Sequence, residues 1–186
     1  MCKGHSHEKA PRVNILRELM HMGSFWTIWF WVTHAVAWSL ASHFTLGVPY
    51  DMVVQANREK DDEGPWSRHC EALILAQVYR FMTYYRRAGV LLAGVSAFIL
   101  AALLTIAIQV DLELAWAAFS IMGPLTLIYI FSIRAAARME AQELRGQPLR
   151  DALRRQRFWN QIIGLLGIVM AVALAIWQTV KTMSLF

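Results

Sequence analysis

Residues 88–133 read "AGVLLAGVSAFILAALLTIAIQVDLELAWAAFSIMGPLTLIYIFSI", two apolar runs parted by little more than Asp111, Leu112 and Glu113. Each run, 88–109 and 114–133, approaches the ~20 residues that a helix rising ~1.5 Å per residue needs to cross a hydrocarbon core of about 30 Å. Neither contains His, Cys, Asp, Glu, Lys or Arg. Inside lipid every backbone amide must be paired within its own segment, so runs of this kind are helices. The short acidic break leaves room for a tight antiparallel turn and nothing larger. The pattern predicts a transmembrane hairpin.

Two further apolar blocks flank the pair. Residues 162–180, "IIGLLGIVMAVALAIWQTV", are equally free of charge, and residues 24–44, "SFWTIWFWVTHAVAWSLASHF", carry four tryptophans and His34. With 57% apolar and 17% charged residues gathered into blocks, the composition is that of a polytopic membrane protein and the fold class is all-α. Four transmembrane helices are expected, the first of which could instead be interfacial or re-entrant. The expected organisation is an N-terminal tail (1–24), membrane helix 1 (25–44), a cytoplasmic loop and amphipathic helix (45–87), the hairpin (88–133), a basic cytoplasmic connector (134–161), and membrane helix 4 with a short tail (162–186). Block one is too long and too rich in tryptophan for a cleaved secretory signal.

Basic residues sort strongly along this frame. Arg58, Lys60, Arg68, Arg80, Arg86 and Arg87 lie between the first two blocks, and Arg134, Arg138, Arg145, Arg150, Arg154, Arg155 and Arg157 follow the third. The bias of short loops places both regions in the cytoplasm and the Asp111 turn outside, in a bacterial inner membrane. Four spans with the amino end outside put 13 of the 18 basic residues inside, and three spans with an interfacial first block put 17 there. Length favours the span; charge favours the interface. Arg86, Arg87, Arg154, Arg155 and Arg157 are expected at lipid headgroups, which account for the basic clusters without a nucleic-acid partner.

Local signals refine the connections. Gly47, Pro49, Gly64 and Pro65 punctuate a loop after block one, and residues 57–63 read as a solvated charge run. Pro65 suits the first position of a helix that continues without a strong breaker to Gln109. Gly123 and Pro124 predict a kink in the third block. The connector reads as helix, a break at Gly146 to Pro148, then helix.

The search for chemistry is mostly negative. Ionisable groups within spans are costly to bury and mark function, and blocks two to four have none. Small hydroxyls are few in the hairpin, Ser96, Thr105, Ser120 and Thr126 among them, too few for a wide aqueous path. No phosphate loop, nucleophile elbow or helix-borne metalloprotease motif is present. Cys2, His5 and His7 form a weak metal-ligand cluster with no fourth ligand nearby. With only Cys2 and Cys70, no disulfide framework exists. In block one Thr27, Trp31, His34, Trp38 and Ser42 share one helical face, while Phe25, Trp29, Val32, Val36 and Leu40 share the other. His34 is thus expected on an inward polar face, bonded to a neighbouring backbone or hydroxyl group, or else lining a pore. His21 and His43 stand at the wrong intervals from His34 to stack two haems on one face, which leaves only one haem shared between two copies.

Small residues at four-residue spacing let helices approach closely in lipid. Gly89, Ala93, Ala97 and Ala101 make such a stripe on the second block, and Gly164, Ile168, Ala171 and Ala175 a looser one on the fourth. Packing surfaces without polar machinery point to a non-enzymatic subunit, with no cofactor, that scaffolds or anchors an inner-membrane assembly of other subunits or its own copies. The alternatives are a homo-oligomeric channel or membrane-permeabilising effector and, third, a haem-binding electron-transfer subunit.

Overall fold

The computed structural model describes residues 27–59 and 64–183, which are all-α apart from one minimal β-hairpin. In chain order the elements are α1 (Ile28–His43), β1 (Phe44–Thr45), β2 (Val48–Pro49), α2 (Tyr50–Arg58), α3 (Pro65–Gln109), α4 (Glu113–Ala141) and α5 (Gly146–Met183). The helices α3, α4 and α5 are each long and apolar enough to cross a membrane. Of block one, residues 24–26 lie outside the described residues, and the rest forms the 16-residue α1. At ~1.5 Å per residue α1 measures roughly 24 Å.

Helix α3 begins with Pro65 in its first turn, where a missing N–H costs no bond. The next two orphan amides, of Trp66 and Ser67, donate to the Glu59 carboxylate at 3.0 and 2.8 Å. Burial pushes the Glu59 pKa up, but these bonds together outweigh it and hold the carboxyl below its ordinary 4.5. The Cβ of any residue other than glycine at position 64 would overlap that carboxylate. From this cap the helix runs unbroken for 45 residues.

Two ion pairs show how the long helices run. Arg86 on α3 meets Glu140 on α4 at 2.7 Å, and Lys181 on α5 meets Asp111, in the α3–α4 connection, at 2.6 Å. Helix α4 therefore runs antiparallel to both α3 and α5. Asp111 takes φ 55° to reverse the chain within three residues. Helix α4 continues through Pro124 as one element. The break between α4 and α5 falls over residues 142–145, earlier than the Gly146 and Pro148 signals suggest. Gly146, at φ 53°, opens α5, donates its N–H to Glu71 at 2.9 Å, and leaves Pro148 in the first turn.

The segment expected to be a loop holds structure of its own. Leu46 and Gly47 both have positive φ, 55° and 77°, the combination of a type I′ two-residue turn, and Thr45 pairs with Val48 across it. The amphipathic α2 follows, burying Val53 and Ala56 one turn apart. These join Cys70, Ile74, Val78 and Met82 of α3, Ala136 and Met139 of α4, and Leu149 and Leu153 of α5 in the main apolar core. Burial also raises the Cys70 thiol pKa. Among the described residues a small second cluster, Trp38, Ile128 and Ile163, forms along the apolar runs.

This uneven burial has a physical reading. The first half of α3 buries a residue every third or fourth position, as water demands, whereas beyond Arg87 most of its apolar side chains stand open: Val90 is 91% and Phe98 75% exposed. A contiguous apolar surface of that kind is stable against lipid tails. The three apolar helices are those of an integral membrane protein.

Candidate functional site

A second packed seam lies where α1 meets α5. His34 and Trp38 are buried, while Trp29, Val32, Val36 and Leu40 are exposed, so the two faces of α1 differ in the sense that their helical period implies. Thr27 is exposed, and Trp31 and Ser42 are half-buried at the margins. The Trp38 indole lies on Gly164 and Gly167. A Cβ at Gly164 would stand 3.1 Å from its Cε3, and one at Gly167 would stand 2.8 Å from its Cζ2 and 3.1 Å from Pro124 Cγ. Glycine is thus required at position 167 for space rather than for backbone conformation.

His34 sits beside this contact, 2% exposed, with ring centroids of Phe30, Trp31 and Trp38 at 5.5, 6.1 and 5.5 Å. The inward position agrees with the helical period; the bonding does not. Among the described residues neither ring nitrogen has a hydrogen-bond partner, nor does Trp38 Nε1. A haem shared between two copies needs an imidazole at the molecular surface, and this one is enclosed by aromatic rings.

A buried polar chain that the sequence reading did not single out completes the seam. Gln156 donates to Ser132 Oγ on α4 at 3.3 Å and to Asn160 Oδ1 at 3.0 Å. Asn160 in turn donates to the Ala41 carbonyl at 3.3 Å. That carbonyl is in the last turn of α1 and has no intrahelical partner of its own. The contacts 41 to 160 and 38 to 164 and 167 show that α1 lies along α5, antiparallel to it. The clue was the four-residue spacing of Gln156 and Asn160 at the entry to an apolar run.

The two small-residue stripes have different fates. On α5, Gly164 and Ala171 are buried and Ala175 is half-buried, whereas Ile168 is exposed, and the contact surface turns through Gly167 instead. On α3, Ala93, Ala97 and Ala101 are exposed and Gly89 is half-buried. Among the described residues this stripe makes little contact beyond its Gly89 end, where the Tyr85 ring of the same helix covers the glycine. The hydroxyls of Thr105, Ser120 and Thr126 donate to carbonyls of their own helices, Ala101, Ala117 and Met122.

The arginines expected at headgroups are placed variously. Arg86 is paired with Glu140, and Arg154 lies 3.5 Å from Asp151. Arg157 stacks its guanidinium on the Tyr50 ring at 3.5 Å, a cation–π contact. Arg87 and Arg155 are exposed. Cys2, His5 and His7 lie outside the described residues, and among the described residues no group of His, Cys, Asp and Glu side chains could hold a metal ion. No family model matches the sequence, and neither curated proteins nor solved structures yield a match.

Proposed function

We propose that the chain is a non-enzymatic integral membrane subunit that anchors or scaffolds a larger assembly through close helix packing. The observation that carries this reading is the outward stripe of Ala93, Ala97 and Ala101. A tight-packing motif on a long helix whose apolar half the described residues leave almost uncovered suits contact with a helix of another chain or another copy. Supporting it, the buried Gln156 and Asn160 spend their amides on holding helices together, bonding Ser132, each other and the Ala41 carbonyl.

In this reading α3 and α4 form a transmembrane hairpin and α5 a further span. Helix α1, docked lengthwise on α5, enters the bilayer with its amino end outside, making four membrane helices. The basic ends of α3, α4 and α5, together with α2, face the cytoplasm of a bacterial cell, and the Asp111 turn faces outward. Lipid covers whatever of α3 the partner leaves free.

Extraction in mild detergent followed by native mass analysis tests the proposal. A complex containing a second membrane polypeptide or several copies is expected. A monodisperse single chain at every detergent concentration overturns it.

A further inference from the structure

The connector helices enclose a cleft of about 640 Å³ between the end of α4 and the start of α5. Its membrane-proximal floor is an aromatic pair: Phe131 and Trp159 stack with ring centroids 6.0 Å apart and an interplanar angle of 27°. These residues stand where the apolar run of α4 ends and that of α5 begins, the depth at which tryptophan is favoured in a bilayer. Above the floor the walls carry Arg134 and Arg138 from α4 and Arg155 from α5. The three are exposed, and none is held in an ion pair among the described residues.

One carboxylate also lines the cleft. Asp151 accepts from Gln147 at 3.3 Å and lies 3.5 Å from Arg154, so its charge is shared with groups outside the cleft wall. Three guanidiniums against one engaged carboxylate leave the cleft strongly positive. An aromatic floor at the hydrocarbon boundary makes it amphipathic as well. A guanidinium presents a planar fork that fits phosphate oxygens, and several can share one anionic headgroup.

We infer that this cleft binds the phosphate of an acidic glycerophospholipid, with Arg134, Arg138 and Arg155 on the headgroup and an acyl chain descending past Trp159. The inference rests on the membrane placement proposed above, but not on any protein partner. A zwitterionic phosphatidylcholine is disfavoured because its ammonium would face the guanidiniums. A free phosphate lacks the apolar portion that the Phe131–Trp159 floor would cover.

The test uses the full chain, delipidated in detergent and titrated with phosphatidylglycerol or phosphatidylcholine, with retained lipid counted by native mass spectrometry. Retention of phosphatidylglycerol is expected to exceed that of phosphatidylcholine by at least about tenfold, since each arginine near the headgroup adds attraction. The variant R134Q/R138Q/R155Q should lose the preference, while R58Q/R68Q/R80Q, which removes the same charge elsewhere, should keep it. If the first triple variant fails to fold, R138Q alone must lower the preference measurably. Equal retention of both lipids by the unaltered chain overturns the inference. So does full displacement of phosphatidylglycerol by millimolar inorganic phosphate, which marks a simple anion site. A lone monomer that still retains phosphatidylglycerol would count against the assembly reading and leave the cleft intact.

Discussion

Asn160 donates its side-chain amide to the Ala41 carbonyl at 3.3 Å, joining residues 119 apart in sequence and fastening the last turn of α1 to α5. The bond does two jobs at once. It satisfies a helix-terminal acceptor that lipid could not, and it leaves the amide oxygen free to receive Gln156.

Asn160→Ala removes both ends of that arrangement. The expected loss is about 1–2 kcal/mol, the range for a buried polar bond whose partners are left unmet. Thermal denaturation in detergent should show the lower midpoint, and limited proteolysis should show faster cleavage within residues 44–49. An unchanged protease pattern would mean that α1 is held by Trp38 alone.

Gly167→Ala forces a methyl group against Trp38 and Pro124. Overpacking of this kind costs typically 1–3 kcal/mol. Because the obstruction is the indole itself, Trp38→Leu in the same chain should recover part of the loss. Strict additivity of the two substitutions in melting experiments would show that the rings and the glycine do not meet.

The Glu59 cap makes an acid-dependent contribution. Its pKa is lower in the folded chain than in the unfolded one, so its stabilisation is complete above the unfolded value near 4.5 and is lost as pH falls through the folded value. Glu59→Gln should therefore lower the melting temperature at pH 7, and the gap to the unaltered chain should close as the pH falls through the folded value, below 4.5. A gap independent of pH would assign the cap's effect to shape rather than charge.

Ala97→Leu separates stability from assembly. Ala97 is exposed in the single chain, so the melting midpoint should shift by no more than about 0.5 kcal/mol equivalent. The same change on the stripe should strip any co-purifying helix from α3. Retention of the complete assembly after Ala97→Leu and Ala93→Leu together would place the contact elsewhere.

What the sequence disclosed follows from how strongly each environment constrains it. Lipid forbids unpaired backbone, so the apolar runs declare themselves as helices, and the acidic tripeptide can do little but turn. The face of α1 that carries His34 and Trp38 was also legible, because a helix with tryptophans on both sides still separates polar from purely apolar positions. Helix α2 was not, since nine residues ending in a charge run show their apolar side only once Val53 and Ala56 meet the core. The Glu59 cap escaped notice for a related reason: its carboxylate reaches amides seven and eight residues on, outside the usual capping interval. Both small-residue stripes were visible as patterns. The fold alone tells that Gly167, not Ile168, extends the surface from Gly164, and that Ala93 and Ala97 look away from the other described residues.

The unbroken course of α3 makes it a lever. At ~1.5 Å per residue its 45 residues extend roughly 68 Å, about half of it beyond the hydrocarbon in the membrane placement proposed above, with no glycine or proline between Trp66 and Ala88 to act as a joint. A tilt of about 10° imposed within the bilayer, well inside the range such helices adopt, would swing its far tip by some 6 Å and carry the Glu59 cap, α2 and the Glu71 contact with it. Whatever leans on the buried half is felt at the other end as displacement.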